Sequence, residues 1–189
     1  MMIMILLYDT AIRIAELLEL KISSLKLTSV PSIHIHGKGD KERSVSITDA
    51  TVSHLKKYLR QFHPEMLPNQ PLFYTKIKGS IAPMSPGNVS RIINKYADAI
   101  RPEHPNLPKH LHCHMFRRTR ATGLYRNGVE LEMISVILGH SSTETTRIYA
   151  TPSIEMLGEA MNTANSTIPD ETPEWEENED ELARICGLR

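Results

Sequence analysis

Leu138-Gly139-His140 sets the reading of this chain, with Tyr149 nine residues beyond the histidine in Thr145-Thr146-Arg147-Ile148-Tyr149 and His114-Met115-Phe116-Arg117 upstream. A histidine with an arginine, then a second histidine with a tyrosine, are the parts needed to hold a phosphodiester and attack it. A free phenol, with a pKa of roughly 10, is mostly protonated at neutral pH, so such a tyrosine needs a base or a strongly positive site beside it.

Composition narrows the class around that stretch. With 189 residues, 40% of them apolar, the chain can bury one core, and one domain with a tail is expected. The balance of 22 basic and 22 acidic residues hides a split: residues 170–189 hold 8 acidic and 2 basic, leaving the body 20 basic against 14 acidic, a net +6. A basic body fits a polyanionic partner, because Lys and Arg that neutralise phosphates release counterions. Cys113 and Cys186 are too few for a disulfide scaffold or a zinc site, which makes a reducing cytoplasm the default. The apolar run over residues 1–8 lacks the basic region and cleavage site of a signal peptide and is far short of a membrane span. It reads as a buried helix.

Periodicity supplies the elements. Residues 2–8 and 12–20 are apolar at helical spacing, with Asp9-Thr10 suited to cap the second segment, and Arg13 and Glu16 share a helix face. Residues 32–47 alternate instead, Ile33 and Ile35 against His34 and His36, and Gly37-Lys38-Gly39-Asp40 supplies the turn of a β-hairpin with Lys38 at its tip. A third strand is expected at Leu72-Phe73-Tyr74. Helices are expected over 49–61, from Ser85-Pro86 to about 100, and at 115–127, 130–138 and 142–149. Asn127-Gly128 and Gly139 suit the ends of two of them, and Ser153 should cap a last helix to about 162.

Taken together, His114-x-x-Arg117, Leu138-Gly139-His140-Ser141-Ser142 and Thr145-Thr146-x-Ile148-Tyr149 resemble the signature of the tyrosine recombinase, or phage integrase, family. Thr10-Ala11-Ile12-Arg13-Ile14-Ala15-Glu16-Leu17 resembles the family's first-arginine box, and Gly37-Lys38-Gly39-Asp40-Lys41-Glu42-Arg43 its lysine hairpin. The resemblance spans residues 5–155 in the family's order. It implies an α+β, mainly α-helical catalytic-domain fold, with a small three-stranded antiparallel sheet at one side of a helical core. Residues 1–164 would be that domain, without the N-terminal core-binding domain of full-length members, and weak DNA affinity is expected without it. Residues 165–189 would be an acidic, flexible tail with a short docking helix at 181–188.

The implied activity is site-specific DNA recombination or integration, through strand cleavage and rejoining on a covalent 3′-phosphotyrosine. Tyr149 would be the nucleophile, and Arg13 and Arg117 would grip nonbridging oxygens as fixed-charge forks. His140 would donate a hydrogen bond to the same oxygens, and His114 would give or take the nucleophile's proton. Lys38, in the family's Gly-Lys-Gly position, would protonate the leaving 5′ oxygen, with Lys41 as the competing candidate. Glu16 would orient Arg13. Lys41, Arg43, Arg118, Arg120 and Arg147 would face DNA.

The phosphotyrosine conserves the phosphodiester, so no ATP is required, and arginines, lysine and histidines stand in for a divalent ion. No cofactor is expected. Alternating His110, His112 and His114 invite a chelate, but only Cys113 lies beside them and it would point the other way, so no metal is expected either. Implied partners are double-stranded DNA, further recombinase protomers in a tetrameric synapse, and DNA-bending accessory proteins, with no membrane, in a bacterial or phage-encoded cytoplasmic setting. Two other readings share the fold or the chemistry: an inert DNA-binding module, and type IB topoisomerase-like cleavage without site preference. The sequence departs from the family pattern at Ala11, where glycine is usual, at Arg118, where histidine is common, and at Gly123, within a helix.

Overall fold

A computed structural model describes residues 1–37, 41–140, 142–152, 154–165 and Arg184. Two compact units result, Met1–Thr151 and Pro152–Arg189. The first is mainly helical. Its helices are α1 (Met2–Asp9), α2 (Ile14–Glu19), α3 (Asp49–Phe62), α4 (Pro86–Ile100), α5 (Cys113–Arg126), α6 (Leu131–Leu138) and α7 (Glu144–Arg147). Within the second unit, α8 runs over Ile154–Asn165, so the helix expected from Ser153 forms, while Ser153 itself lies outside the described residues. The boundary expected at 164 falls at the end of this helix, whereas the two units part at 151. The tail beyond 165, with its docking helix at 181–188, lies outside the described residues apart from Arg184.

The expected hairpin forms from β2 (Ser32–Gly37) and β3 (Lys41–Ser46), paired from Ser32 with Ser46 to Gly37 with Lys41. Alternation places Ile33, Ile35 and Val45 in the core. Lys38, Gly39 and Asp40, the expected tip, lie outside the described residues. The sheet has three antiparallel strands, as expected, but the third is β1 (Leu25–Lys26) rather than 72–74. Leu72 and Phe73 are instead fully buried core residues, and Leu72 N–H donates to Leu20 O at 2.8 Å. Strand structure begins only at Tyr74, where β4 (Tyr74–Ile77) and β5 (Ser80–Pro83) make a separate hairpin. A short, strongly apolar run satisfies the demands of a strand and of a core-crossing loop equally well.

Two apolar clusters hold the first unit. The larger joins Leu6 and Leu7 of α1, Leu17 of α2, Val52, Leu55 and Leu59 of α3, Val89 and Ile93 of α4, and the inner hairpin face. Each fully buried Leu or Ile there contributes about 1.5–3 kcal/mol. The smaller joins Ala11, Ala121, Ile134, Leu138 and Tyr149.

The capping expected of Asp9-Thr10 goes elsewhere. Thr10 Oγ1 donates back to Leu6 O at 2.7 Å, and Asp9 accepts from Thr48 N–H at 2.9 Å and Thr48 Oγ1 at 3.1 Å, bracing the start of α3. Between α1 and α2 the chain turns at Ala11, which is buried with φ of 51°. That conformation costs a residue with a Cβ about 1–2 kcal/mol. Replacing Ala11 by Val adds a β-branch both to the strained backbone and to a filled site, and Ala11→Val should lower unfolding stability by about 2–4 kcal/mol in urea titration.

Candidate active site

The C-terminus of α6 is the point on which the site is built. A helix end leaves its last carbonyls unpaired and carries a partial negative charge. Gly139 ends α6 in the left-handed region at φ 64°, and three successive carbonyls there each accept from a different arginine. Arg43 Nε donates to Ile137 O at 3.3 Å, Arg117 Nη2 to Leu138 O at 2.7 Å, and Arg13 Nη2 to Gly139 O at 3.3 Å. A Cβ on residue 139 would stand 2.8 Å from Arg43 Nη1, so glycine is demanded by packing as well as by φ.

Glu16 ties two of these arginines together. It accepts from Arg13 N–H at 3.0 Å and Arg13 Nη1 at 2.9 Å, and in bidentate fashion from Arg43 at 3.1 and 2.8 Å. The carboxylate is only 5% exposed. Burial alone would raise its pKa, but the hydrogen bonds from Arg43 and Arg13 and the charge of Arg43 outweigh it and hold the group below its ordinary value. Glu16 therefore holds the Arg13 side chain and also anchors Arg43.

Arg117 is 3% exposed and also bonds outside α6, with Nη1 donating to Ala11 O at 2.6 Å. Burial, then the charge of Arg13, bring its pKa down to about 10, which leaves it cationic at neutral pH. Its Nη2 lies 2.9 Å from His140 Nε2. A guanidinium only donates, so Nε2 must accept, and the imidazole proton sits on Nδ1, 2.9 Å from Thr146 Oγ1. Burial, followed by the charges of Arg117, Arg13 and Arg43, lowers the His140 pKa to about 4. In this state His140 is a neutral acceptor from Arg117, and it would donate to phosphate only after taking up a proton or changing partners.

Tyr149 stacks on His140 with ring centroids 6.3 Å apart and planes 20° apart, and is only 4% exposed. His114 is exposed on the first turn of α5. Partial desolvation, then the charges of Arg117, His112, Arg118 and Arg13, lower its pKa, which places it in the field of the same cluster. Four of the expected site residues, Arg13, Arg117, His140 and Tyr149, thus gather around the end of α6, with Glu16 bonded to Arg13, and His114 lies within reach of their charge. Lys38 lies outside the described residues.

The residues expected to face DNA divide. Arg118 and Arg147 are exposed. Arg43 is turned inward onto Glu16, because alternation in β3 puts it on the Val45 face. Arg120 is pinned as well, 3.5 Å from Asp9 Oδ1 and with its guanidinium 5.6 Å from the centre of the Tyr8 ring. Only the backbone of Lys41 is described, paired with Gly37. Sequence reasoning missed the inward role of Arg43, which the period of two contains, and that of Thr146, for which only its six-residue distance from His140 is a signal.

With the fold and this geometry in place, comparison with known proteins is direct. Residues 1–156 match the Phage integrase family, and the chain belongs to that family. A tyrosine recombinase of Agathobacter rectalis is 40% identical over 145 residues, covering 76% of this chain and 44% of the relative. The crystal structure of XerA recombinase superposes with a TM-score of 0.68 at 30% identity, covering 84% of this chain and 54% of that one. The XerH site-specific recombinase bound to its difH substrate before cleavage gives a TM-score of 0.64 at 30% identity, covering 85% and 45%. The chain spans about half the length of the curated relatives it matches. The fold is that of a tyrosine recombinase catalytic domain.

Two outcomes follow from the site's electrostatics. Removing the Glu16 carboxylate leaves the largely covered Arg43 without its counter-charge, so Glu16→Ala should cost about 2–4 kcal/mol in chemical denaturation, and Arg43→Ala in the same background should add little. For His140 the folded pKa of about 4 lies below the ordinary value of 6.5, so the unfolded chain binds the proton more readily. The stability carried by the neutral ring is complete above pH 6.5 and is lost as the pH falls toward 4. Urea titrations at pH 7 and 4.5 should show the native protein losing about 1–2 kcal/mol more than His140→Gln, a figure reduced for the partial exposure of the ring.

Proposed function

We propose that this chain is the strand-exchanging part of a site-specific DNA recombinase, acting on double-stranded DNA without metal or ATP. The observation that carries the reading is the convergence of Arg13, Arg117 and His140 on the end of α6, with the Tyr149 ring stacked on His140. Two arginines share the one carboxylate of Glu16 and Arg117 bonds a neighbouring carbonyl, leaving an excess of positive charge suited to a phosphodiester.

In the proposed step the Tyr149 phenol oxygen attacks phosphorus, its proton passing to His114 or solvent. The bond to the 5′ oxygen breaks, and that oxygen leaves as a hydroxyl with a proton from Lys38. Arg13 and Arg117 neutralise the nonbridging oxygens, and His140 joins them once protonated. Attack by a 5′ hydroxyl on the 3′-phosphotyrosine reverses the chemistry on the same or an exchanged strand. Other recombinase protomers and DNA-bending proteins would complete the assembly, in the cytoplasm of a bacterium or of a phage host. No helix among the described residues is long and apolar enough to cross a membrane.

One observation favours a second reading. Tyr149 is 4% exposed, so attack requires the segment around α7 to release it, and a domain that cannot do so would bind DNA without cutting it. A nicked suicide substrate separates the two. The proposed activity predicts a covalent protein–DNA adduct that survives EDTA and disappears in Tyr149→Phe. Binding with no adduct, even in a fusion to the N-terminal domain of a relative, supports the inert module.

A further inference from the structure

The hairpin has a second face, turned away from Glu16 and the arginines. His34 and His36 lie two residues apart on β2 and so share that face, with Ser44 opposite the first and Glu42 opposite the second. Glu42 Oε1 lies 3.0 Å from His36 Nδ1, and its Oε2 lies 3.2 Å from His34 Nε2. The two imidazoles meet edge to face with centroids 5.1 Å apart, and one ligand atom from each of the three side chains lies within 4.8 Å of the others.

A tetrahedral ion bonded to nitrogen and oxygen at about 2.0–2.1 Å holds adjacent ligand atoms roughly 3.4 Å apart. The histidine–carboxylate contacts, 3.0 and 3.2 Å to the two oxygens of Glu42, are slightly shorter than that, and the three ligand atoms lie within 4.8 Å of one another, so coordination requires the side chains to rotate about a common centre. A second feature prepares the site: His34 Nδ1 lies 3.3 Å from Ser44 Oγ. With Nδ1–H donating to that hydroxyl, the Nε2 lone pair is aimed at the Glu42 side, the arrangement by which an outer hydrogen bond fixes a ligating imidazole.

We propose that His34, His36 and Glu42 form a binding site for a divalent transition-metal ion of the zinc class, with water completing its coordination. Two imidazoles with one carboxylate select zinc, nickel or copper over the oxygen-seeking magnesium and calcium. The ion takes the place of the protons that otherwise join the histidines to Glu42. It clamps β2 to β3 one residue pair before the last described pair of the ladder, Gly37 with Lys41. The site is separate from the proposed chemistry, which needs no metal, and acts on the order of the hairpin.

Titration of the full chain with zinc chloride, followed by calorimetry and with cobalt by visible absorption, tests the site. One ion per chain should bind in the micromolar range, and His36→Ala and Glu42→Gln should each weaken binding by about tenfold or more. His110→Ala with His112→Ala should leave it intact. Zinc should also slow amide exchange in β2 and β3 of the native chain and not of Glu42→Gln. Absence of binding, binding indifferent to His36→Ala and Glu42→Gln, or binding lost in the His110/His112 variant would overturn the proposal.

Discussion

Three arginines caught on three successive carbonyls at the end of one short helix are the constraint on which the rest of this structure depends. The carbonyls of Ile137, Leu138 and Gly139 would otherwise be orphaned at the C-terminus of α6, and Arg43, Arg117 and Arg13 satisfy them in turn. The arginines come from β3, α5 and the start of α2, so a single helix end fixes elements more than a hundred residues apart. The negative end of the helix dipole favours cations there, and Glu16 supplies the one full negative charge that keeps two of them from driving each other away.

Under the proposed function, the same arrangement would keep positive charge in place for a phosphate. An arginine held only by solvent would swing with the full entropy of its side chain. Arg117 is held by Ala11 O, Leu138 O and His140, and Arg13 by Glu16 and Gly139 O, so their forks are oriented before any ligand arrives. The left-handed turn at Ala11 is the strained part of this device: it directs the carbonyl that Arg117 needs, at a backbone cost that the surrounding core absorbs. His140 completes the chain of contacts by accepting from Arg117 and handing its other nitrogen to Thr146, two residues before the pair Ile148-Tyr149. Orientation of the arginines, protonation of the histidine and placement of the tyrosine are therefore one coupled network.

Much of this was legible in the sequence where a pattern has one physical meaning. Alternation over 32–47 could only be a half-buried hairpin, Ser85-Pro86 is a helix start by two independent criteria, and Gly139 after an apolar run is a helix stop. The reading failed where one pattern serves two structures. Leu72-Phe73 has the composition of a strand but crosses the core as a loop, and Asp9-Thr10 has the chemistry of a cap but braces α3 and α1 instead. Arg43 and Arg120 carry the charge of DNA-facing residues, yet each has a carboxylate waiting inside the protein.

The sequence by itself determined which chemical groups are present, and in which order: two fork-shaped cations, two imidazoles, a phenol and a lysine between two glycines. These follow from the order of residues alone. Only the tertiary structure decided which cations meet a carboxylate and which meet carbonyls and an imidazole instead. It alone set the proton of His140 on Nδ1 and buried Tyr149 against that ring. Those outcomes depend on partners brought together from distant parts of the chain, and on the loss of water between them, neither of which a linear pattern records.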